Sequence, residues 1–427
     1  MTENPDKIRE ILDIRKYLKS TAFIPATMPG NQYTKPVEAN NIFVPSMSGM
    51  ENRSFLKLKD GDRKYDISWW RLDENDEPLS FYYYPYLLVS YWYGKDNDDF
   101  RAKFGMPPKD KFEICGDSGG FQVVTQNVTV DPIECLRWQE KNCNWGFTLD
   151  IPPLLRVGDG ANSWSLAKGG ELVSCQEKTA KNAKIMYDAW EDDDYEMVFV
   201  AHGYRWKQMM NAREVLKKTT ELDFGDFSGI SISCKDSHAL NIAQGCLYGI
   251  NNLDDGQRFH YLGLSGYKTT MILIYAFTYR PDINLTMDSS SYGSQGNIRR
   301  VYWMDDMKNV LEFGKNNTSY IKNLPCNCPI CRVVLNPEVL RNPGSLPGGL
   351  ISLHNLYVYV NFVEKLKALS TNPIELRRYI IKNVPSLKTA LDFIDLSMDK
   401  GFDMAFDRYA RDIKRMSQKS SARVATL

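Results

Sequence analysis

Short apolar runs rich in β-branched and aromatic residues recur along the chain, each closed by small or polar residues. They are NIFVPSM from Asn41, YLLVSYWY from Tyr86, FEIC from Phe112, GFTL from Gly146, MVFVA from Met197, GISIS from Gly229, HYLGL from His260 and INLTM from Ile283. Most are followed by segments with helical spacing, such as DPIECLRWQEKN, KTAKNAKIMYDAWEDD and MMNAREVLKKTTEL. Eight strands alternating with helices predict an α/β fold, a (β/α)8 TIM barrel, with a doubly wound sheet as the main alternative.

The polar residues that close these runs bear on function. Asp117 follows FEIC, Asp150 follows GFTL, His202 follows MVFVA and Asp288 follows INLTM. In a barrel all four fall at C-terminal strand ends, where active sites are built. Around Asp117 the chain reads Gly116-Asp117-Ser118-Gly119-Gly120-Phe121-Gln122. Paired glycines let a backbone pass close to a ligand, Phe121 offers a stacking face, and Ser118 and Gln122 offer hydrogen bonds. The segment reads equally well as a planar-ligand site around a carboxylate or as a Gly-Gly turn with a helix cap.

Composition narrows the class. The 427 residues are 43% hydrophobic and 12% aromatic, which excludes a disordered chain, and 53 basic residues balance 53 acidic ones. A polyanionic partner must therefore meet a local basic surface. Candidates are Arg299 with Arg300, Arg377 with Arg378, and the tail from Arg408 to Arg423, including Arg411, Lys414 and Arg415. Solvated helix faces explain such runs too. The charged N-terminal segment MTENPDKIREILDIRKYL has no signal-peptide core, and no run approaches a membrane span. Nine cysteines do not form a secreted disulfide pattern, so a reducing cytoplasm is expected.

Three of those cysteines, Cys326, Cys328 and Cys331, form a Cys-x-Cys-x-x-Cys cluster, followed by His354 in a His-Asn-Leu sequence. Three thiolates and an imidazole complete a tetrahedral shell of the closed, structural kind, so Zn2+ is the expected metal. Pro325, Asn327 and Pro329 suit the tight knuckle that would turn the sulfurs inward.

Asp-Ser-Gly-Gly-Phe-Gln at Asp117, followed about two hundred residues later by the cysteine cluster and His-Asn-Leu, resembles the guanine transglycosylase family. The resemblance runs from about Asn41 to about Lys367. It implies a pentosyltransferase that exchanges guanine in a polynucleotide for a 7-deazaguanine base. On this resemblance Asp288 is the nucleophile that forms a covalent glycosyl intermediate and Asp117 the general acid and base. Asp150 receives the Watson–Crick edge of the base, Phe121 stacks on it, and Ser118, Gln122 and His202 line the pocket. His202 stands where the family usually has glutamine. Read without the resemblance, Asp288 is a turn or cap residue before Ser289.

Two segments depart from the tRNA-modifying members. Gly229-Ile230-Ser231-Ile232-Ser233-Cys234-Lys235 replaces a Gly-Gly-Leu-Ala-Val-Gly-Glu segment, and Ser289-Ser290-Ser291-Tyr292-Gly293-Ser294 replaces a Pro-Thr-Arg segment. The combination looks most similar to the divergent phage and bacterial DNA-guanine transglycosylases, making DNA the expected partner, with tRNA and a non-catalytic subunit role as alternatives. Tyr82, Tyr83, Tyr84 and Trp92 are candidate stacking residues for a flipped substrate, or core. The expected layout is an N-terminal helical extension at 1–40, the barrel at 41–310, a zinc subdomain at 311–370 and a basic helical extension at 371–427. A homodimer and helper proteins remain open.

Overall fold

The computed structural model describes residues 21–25, 56–57, 64–65, 68–156, 164–233, 238–263, 266–298, 300–302, 310–312, 326, 328–334 and 345–423. The chain divides into two compact units. One comprises Met1–Lys19, Phe23–Cys115 and Ser289–Lys365, and the other Ser20–Ala22, Gly116–Asp288 and Leu366–Leu427.

Seven of the eight expected strands are present: β1 (Tyr86–Ser90), β2 (Glu113–Asp117), β3 (Trp145–Phe147), β4 (Glu196–His202), β5 (Gly229–Ser233), β6 (Arg258–Tyr261) and β7 (Asn284–Ser289). They follow one another in the sheet in chain order, as in a (β/α) barrel. Strands β3 to β7 are parallel throughout, with Phe147 opposite Val198, Val200 opposite Ser231, Ser231 opposite His260 and His260 opposite Thr286. The eighth expected strand, NIFVPSM, lies outside the described residues. A further strand, Thr21–Pro25, borders β7. It falls inside the segment expected to be a helical extension. Its Thr, Phe and Ile favour an extended backbone, and Pro25 supplies a stop.

Because side chains alternate along a strand, each strand of the second unit has an inner and an outer face. Outside, Phe199 packs on Phe224 and Phe227. Inside, Trp145 and Phe147 of β3 touch the His260 ring of β6 at centroid distances of 5.4 and 4.9 Å, so side chains fill the interior. Below them Arg258 lies over the Trp145 ring and pairs with Glu196 at 2.8 Å.

Helices α1 (Gly120–Gln126), α2 (Pro132–Asn142), α3 (Gly170–Ala189), α4 (Trp206–Thr220), α5 (Ala239–Asn252) and α6 (Tyr267–Ala276) follow β2 to β6. In α5, Gly245 and Gly249 sit one turn apart. A Cβ at either would lie 2.5 Å from Ile232 or 2.4 Å from Phe259, so only glycine allows this close approach to β5 and β6. Both α5 and α6 are buried almost all round, which a helix on a barrel's outside tolerates only beneath another layer.

The C-terminal helices are α7 (Ser345–Ser370), α8 (Pro373–Asn383), α9 (Lys388–Lys400) and α10 (Phe402–Arg423), and the covering layer comes from α8 and α9, which pack on α6, with α9 also on α5. The Phe402 ring stacks on Trp206 at 3.7 Å. Asp395 of α9 accepts from Tyr275 and Tyr279 at 2.6 and 2.9 Å and pairs with Arg377 at 3.0 Å, while Arg377 also reaches Asp392. Arg377, a candidate phosphate contact from sequence, is thus committed to the fold. Its counter-charges on α9 were invisible in a linear reading. Asp395→Ala is expected to lower stability by about 1–3 kcal/mol by stripping these donors of their acceptor. A urea midpoint equal to that of the parent protein would show that apolar contacts alone dock this cap.

In the first unit, Tyr82 and Tyr84 are buried, and Tyr82 Oη donates to the Leu353 carbonyl at 3.0 Å. They are core residues, so they offer no face to a base. Tyr83 is half-buried and donates to the Lys111 carbonyl at 2.6 Å, and Trp92 carries the Lys95 ammonium over its ring.

Candidate functional site

The second unit gathers Asp117, Ser118, Phe121, Gln122, Asp150, His202 and Asp288 at the C-terminal ends of β2, β3, β4 and β7. Gln139 of α2 ties the first two ends together, donating to the carbonyls of Gly116 and Phe147 at 3.0 and 3.3 Å. Beyond them Ser118 Oγ donates to Asp150 Oδ1 at 3.0 Å. The α1 backbone presses on the same group, since a Cβ on Gly120 would stand 2.2 Å from Asp150 Oδ1. Only glycine fits there, which explains the second glycine of the Gly-Gly pair. Asp117 is half-buried, Gln122 is buried, and Phe121 is 38% exposed, a flat apolar face open to a ligand.

Helix α3 supplies a support that the sequence reading missed. Thr179 Oγ1 accepts from the Ile151 amide at 2.9 Å, Asn182 donates to the Leu149 carbonyl at 3.1 Å, and Gln176 donates to the His202 carbonyl at 2.7 Å. Gln176 is itself fixed by Asn211 at 2.7 Å. These residues recur every three positions on one side of α3 and clamp the backbone on both sides of Asp150 and at His202. Polar residues at helical spacing on a face otherwise buried were the available signal.

His202 is buried, and its Nε2 lies 3.0 Å from Asp150 Oδ2 without the alignment of a hydrogen bond. Neither of its ring nitrogens has a hydrogen-bond partner among the described residues, and the buried Ser231 Oγ on the neighbouring β5 has none either. Unsatisfied buried polar groups are uncommon in native proteins and mark a place where water or a ligand completes the bonding.

Asp288 is buried and, among the described residues, held through a single oxygen. Its Oδ1 accepts from the Gly263 amide at 2.5 Å and lies 3.1 Å from His260 Nε2. The other nitrogen of His260 is 2.9 Å from Thr286 Oγ1. Burial pushes the imidazole below its ordinary pKa, and the Asp288 carboxylate offsets only part of that. A buried histidine in an apolar run reads as core, which is why the sequence did not mark it.

The first unit holds a second cluster. The ligand atoms of Cys326, Cys328, Cys331 and His354 all lie within 4.8 Å of one another, and all four residues are buried. The three sulfurs stand 3.7, 3.3 and 3.3 Å from His354 Nδ1. A tetrahedral zinc with ordinary bond lengths sets sulfur and nitrogen about 3.5 Å apart. The Cys328 and Cys331 amides point at the Cys326 and Cys328 sulfurs at 3.4 and 3.2 Å, the bonding thiolates accept. His354 Nε2 lies 2.9 Å from the Tyr302 carbonyl, so it carries the proton and leaves Nδ1 to a metal. These residues fit a structural zinc ion.

No family model matches the chain. Over 261 residues it is 23% identical to a tRNA-guanine(15) transglycosylase of Methanococcus aeolicus, a match that covers 60% of this chain and 36% of that protein. The chain thus spans little more than a third of that relative's length. No described helix is long and apolar enough to cross a membrane. The barrel strand order, the Cys3His cluster and this distant similarity together support a relationship to the guanine transglycosylase family.

Proposed function

We propose that this protein is a guanine transglycosylase that exchanges guanine in DNA for a 7-deazaguanine base through a covalent glycosyl intermediate on Asp288. The observation that carries the proposal is the pairing of two pinned carboxylates at one end of one set of parallel strands. Asp150 is set between Ser118 and His202, and Asp288 has one oxygen fixed and the other without a protein partner among the described residues.

In this reading the Asp288 Oδ2 lone pair attacks C1′, the C1′–N9 bond breaks, and its electron pair leaves with guanine as Asp117 delivers a proton to the departing base. The incoming base then loses its N9 proton to the Asp117 carboxylate and attacks C1′. The C1′–Oδ2 electrons return to Asp288. Asp150 accepts the N–H donors of a guanine-like edge, Phe121 stacks on its face, and His202 and Ser231 find their missing partners on the base or its water. The zinc residues take no part in the chemistry.

Asp150→Asn puts a donor where the base presents donors and is expected to slow exchange about a hundredfold or more. His202→Gln, which keeps a donor, is expected to stay within about tenfold of the parent. Equal rates for Asp150→Asn and the parent would remove Asp150 from base recognition.

Nucleic acid as substrate is supported by Arg156, Lys168, Arg205 and Lys207. They are exposed on the segments after β3 and β4, and their side chains make no hydrogen bond or ion pair among the described residues. The altered segments at Ser231 and Ser289 favour DNA over tRNA. The name of the Methanococcus relative is the specific observation favouring tRNA. Incubation with labelled guanine or a labelled 7-deazaguanine and either duplex DNA or tRNA decides the matter. Label in DNA is the expected result, and label in tRNA alone would overturn the DNA assignment.

A further inference from the structure

We infer that His260 is a positioning residue for Asp288: set in its Nε2–H tautomer by the acceptor-only carboxylate it faces, it holds Oδ1 together with the Gly263 amide and leaves Oδ2 as the attacking oxygen. The inference rests on the base-exchange reading for the role of Asp288. Its basis is a continuous chain of polar atoms inside the barrel, Thr286 Oγ1 to His260 Nδ1 at 2.9 Å and His260 Nε2 to Asp288 Oδ1 at 3.1 Å.

Only one neutral tautomer satisfies every atom of that chain. With the proton on Nδ1, His260 would donate to Thr286, and the Nε2 lone pair would face a carboxylate oxygen across 3.1 Å, acceptor against acceptor. With the proton on Nε2, the Thr286 hydroxyl donates to Nδ1 and Nε2–H donates to Oδ1. The doubly protonated form is opposed by full burial beneath the Trp145 and Phe147 rings. Register places Thr286 beside His260 on the next strand, so the strand that carries Asp288 also supplies the hydroxyl that can turn from the Phe259 carbonyl, 3.4 Å away, to donate to Nδ1.

Oδ1 thus receives two donors, His260 and Gly263, while Oδ2 takes no hydrogen bond among the described residues. This asymmetry has a kinetic consequence. When the C1′–Oδ2 bond forms, Oδ1 becomes the ester carbonyl oxygen. When it breaks, the electron pair returns to the carboxylate and both donors stabilise the charge. Loss of the His260 donor therefore impairs departure of Asp288 more than its attack, and the covalent intermediate should accumulate.

The test uses the protein in three forms: unchanged, His260→Phe, which keeps the packing against Trp145 and Phe147, and His260→Gln, whose amide can place a donor near Nε2. His260→Phe is expected to slow exchange by about 10- to 100-fold. Its fraction of protein bound covalently to the nucleic acid should rise above that of the parent, and His260→Gln should recover most of the rate. Equal loss in both variants, or a fall in the adduct along with exchange, would reduce His260 to a packing role and overturn the inference. A second measurement does not depend on activity or on either variant being competent. The chain has four histidines, so ¹⁵N NMR of histidine-labelled protein, with His260→Gln for assignment, reads the tautomer directly. Protonated Nε2 is expected, and protonated Nδ1 would overturn the proposal. Absence of exchange by the unchanged protein on both DNA and tRNA would instead defeat the base-exchange reading, leaving the tautomer as the deciding readout.

Discussion

Replacing Asp288 with alanine is expected to lower base exchange by about 10⁴-fold or more and to abolish the covalent adduct. Double displacement through an aspartyl ester has no substitute once that carboxylate is gone, because the neighbouring Gly263 amide and His260 can orient an oxygen but not form the bond. Alanine also leaves two donors in a buried site without their acceptor, so Asp288→Asn is the companion variant: it keeps an oxygen for them and removes the nucleophile. Both variants should retain zinc and the parent's circular dichroism. Exchange within about tenfold of the parent in either would remove Asp288 from the reaction.

Cys328→Ser is expected to have the largest effect on stability. Structural zinc sites hold their metal with about 10–16 kcal/mol of apparent binding free energy, much of which appears as folding free energy. Cys328 has no exposed surface, its thiol is 3.3 Å from His354 Nδ1, and its sulfur accepts the Cys331 amide. Losing it breaks both the ligand set and the turn that presents the others. Purified parent protein should contain about one zinc per chain, Cys328→Ser almost none, and the variant should unfold at a clearly lower temperature. Stoichiometric zinc in the variant would place the metal elsewhere.

Much of this organisation was legible in the sequence because it depends on local pattern. A strand such as MVFVA is a continuous apolar run, as a parallel strand buried on both faces requires, and the polar residue that closes it stands out. The Cys3His cluster was legible because three ligands lie within six residues and few histidines compete for the fourth place.

What escaped depends on pairing across the fold. His260 is one polar residue in HYLGL and becomes meaningful only when register sets it beside Thr286 and within reach of Asp288. Arg377 looked available for phosphate until Asp392 and Asp395 of α9 proved to face it. The apolar α5 and α6 did carry a signal of a covering layer, since TTMILIYAF has no polar face to give to water. The tyrosines at Tyr82 and Tyr84 show the reverse limit. Aromatic character alone cannot separate a stacking surface from core.

The most direct test of the central claim is to capture the intermediate. Protein incubated with guanine-containing duplex DNA, denatured rapidly, digested and analysed by mass spectrometry should yield a nucleic-acid adduct on the peptide carrying Asp288, and free guanine should discharge it. An adduct on another residue, or base exchange with no covalent species under conditions that trap one, would contradict the mechanism.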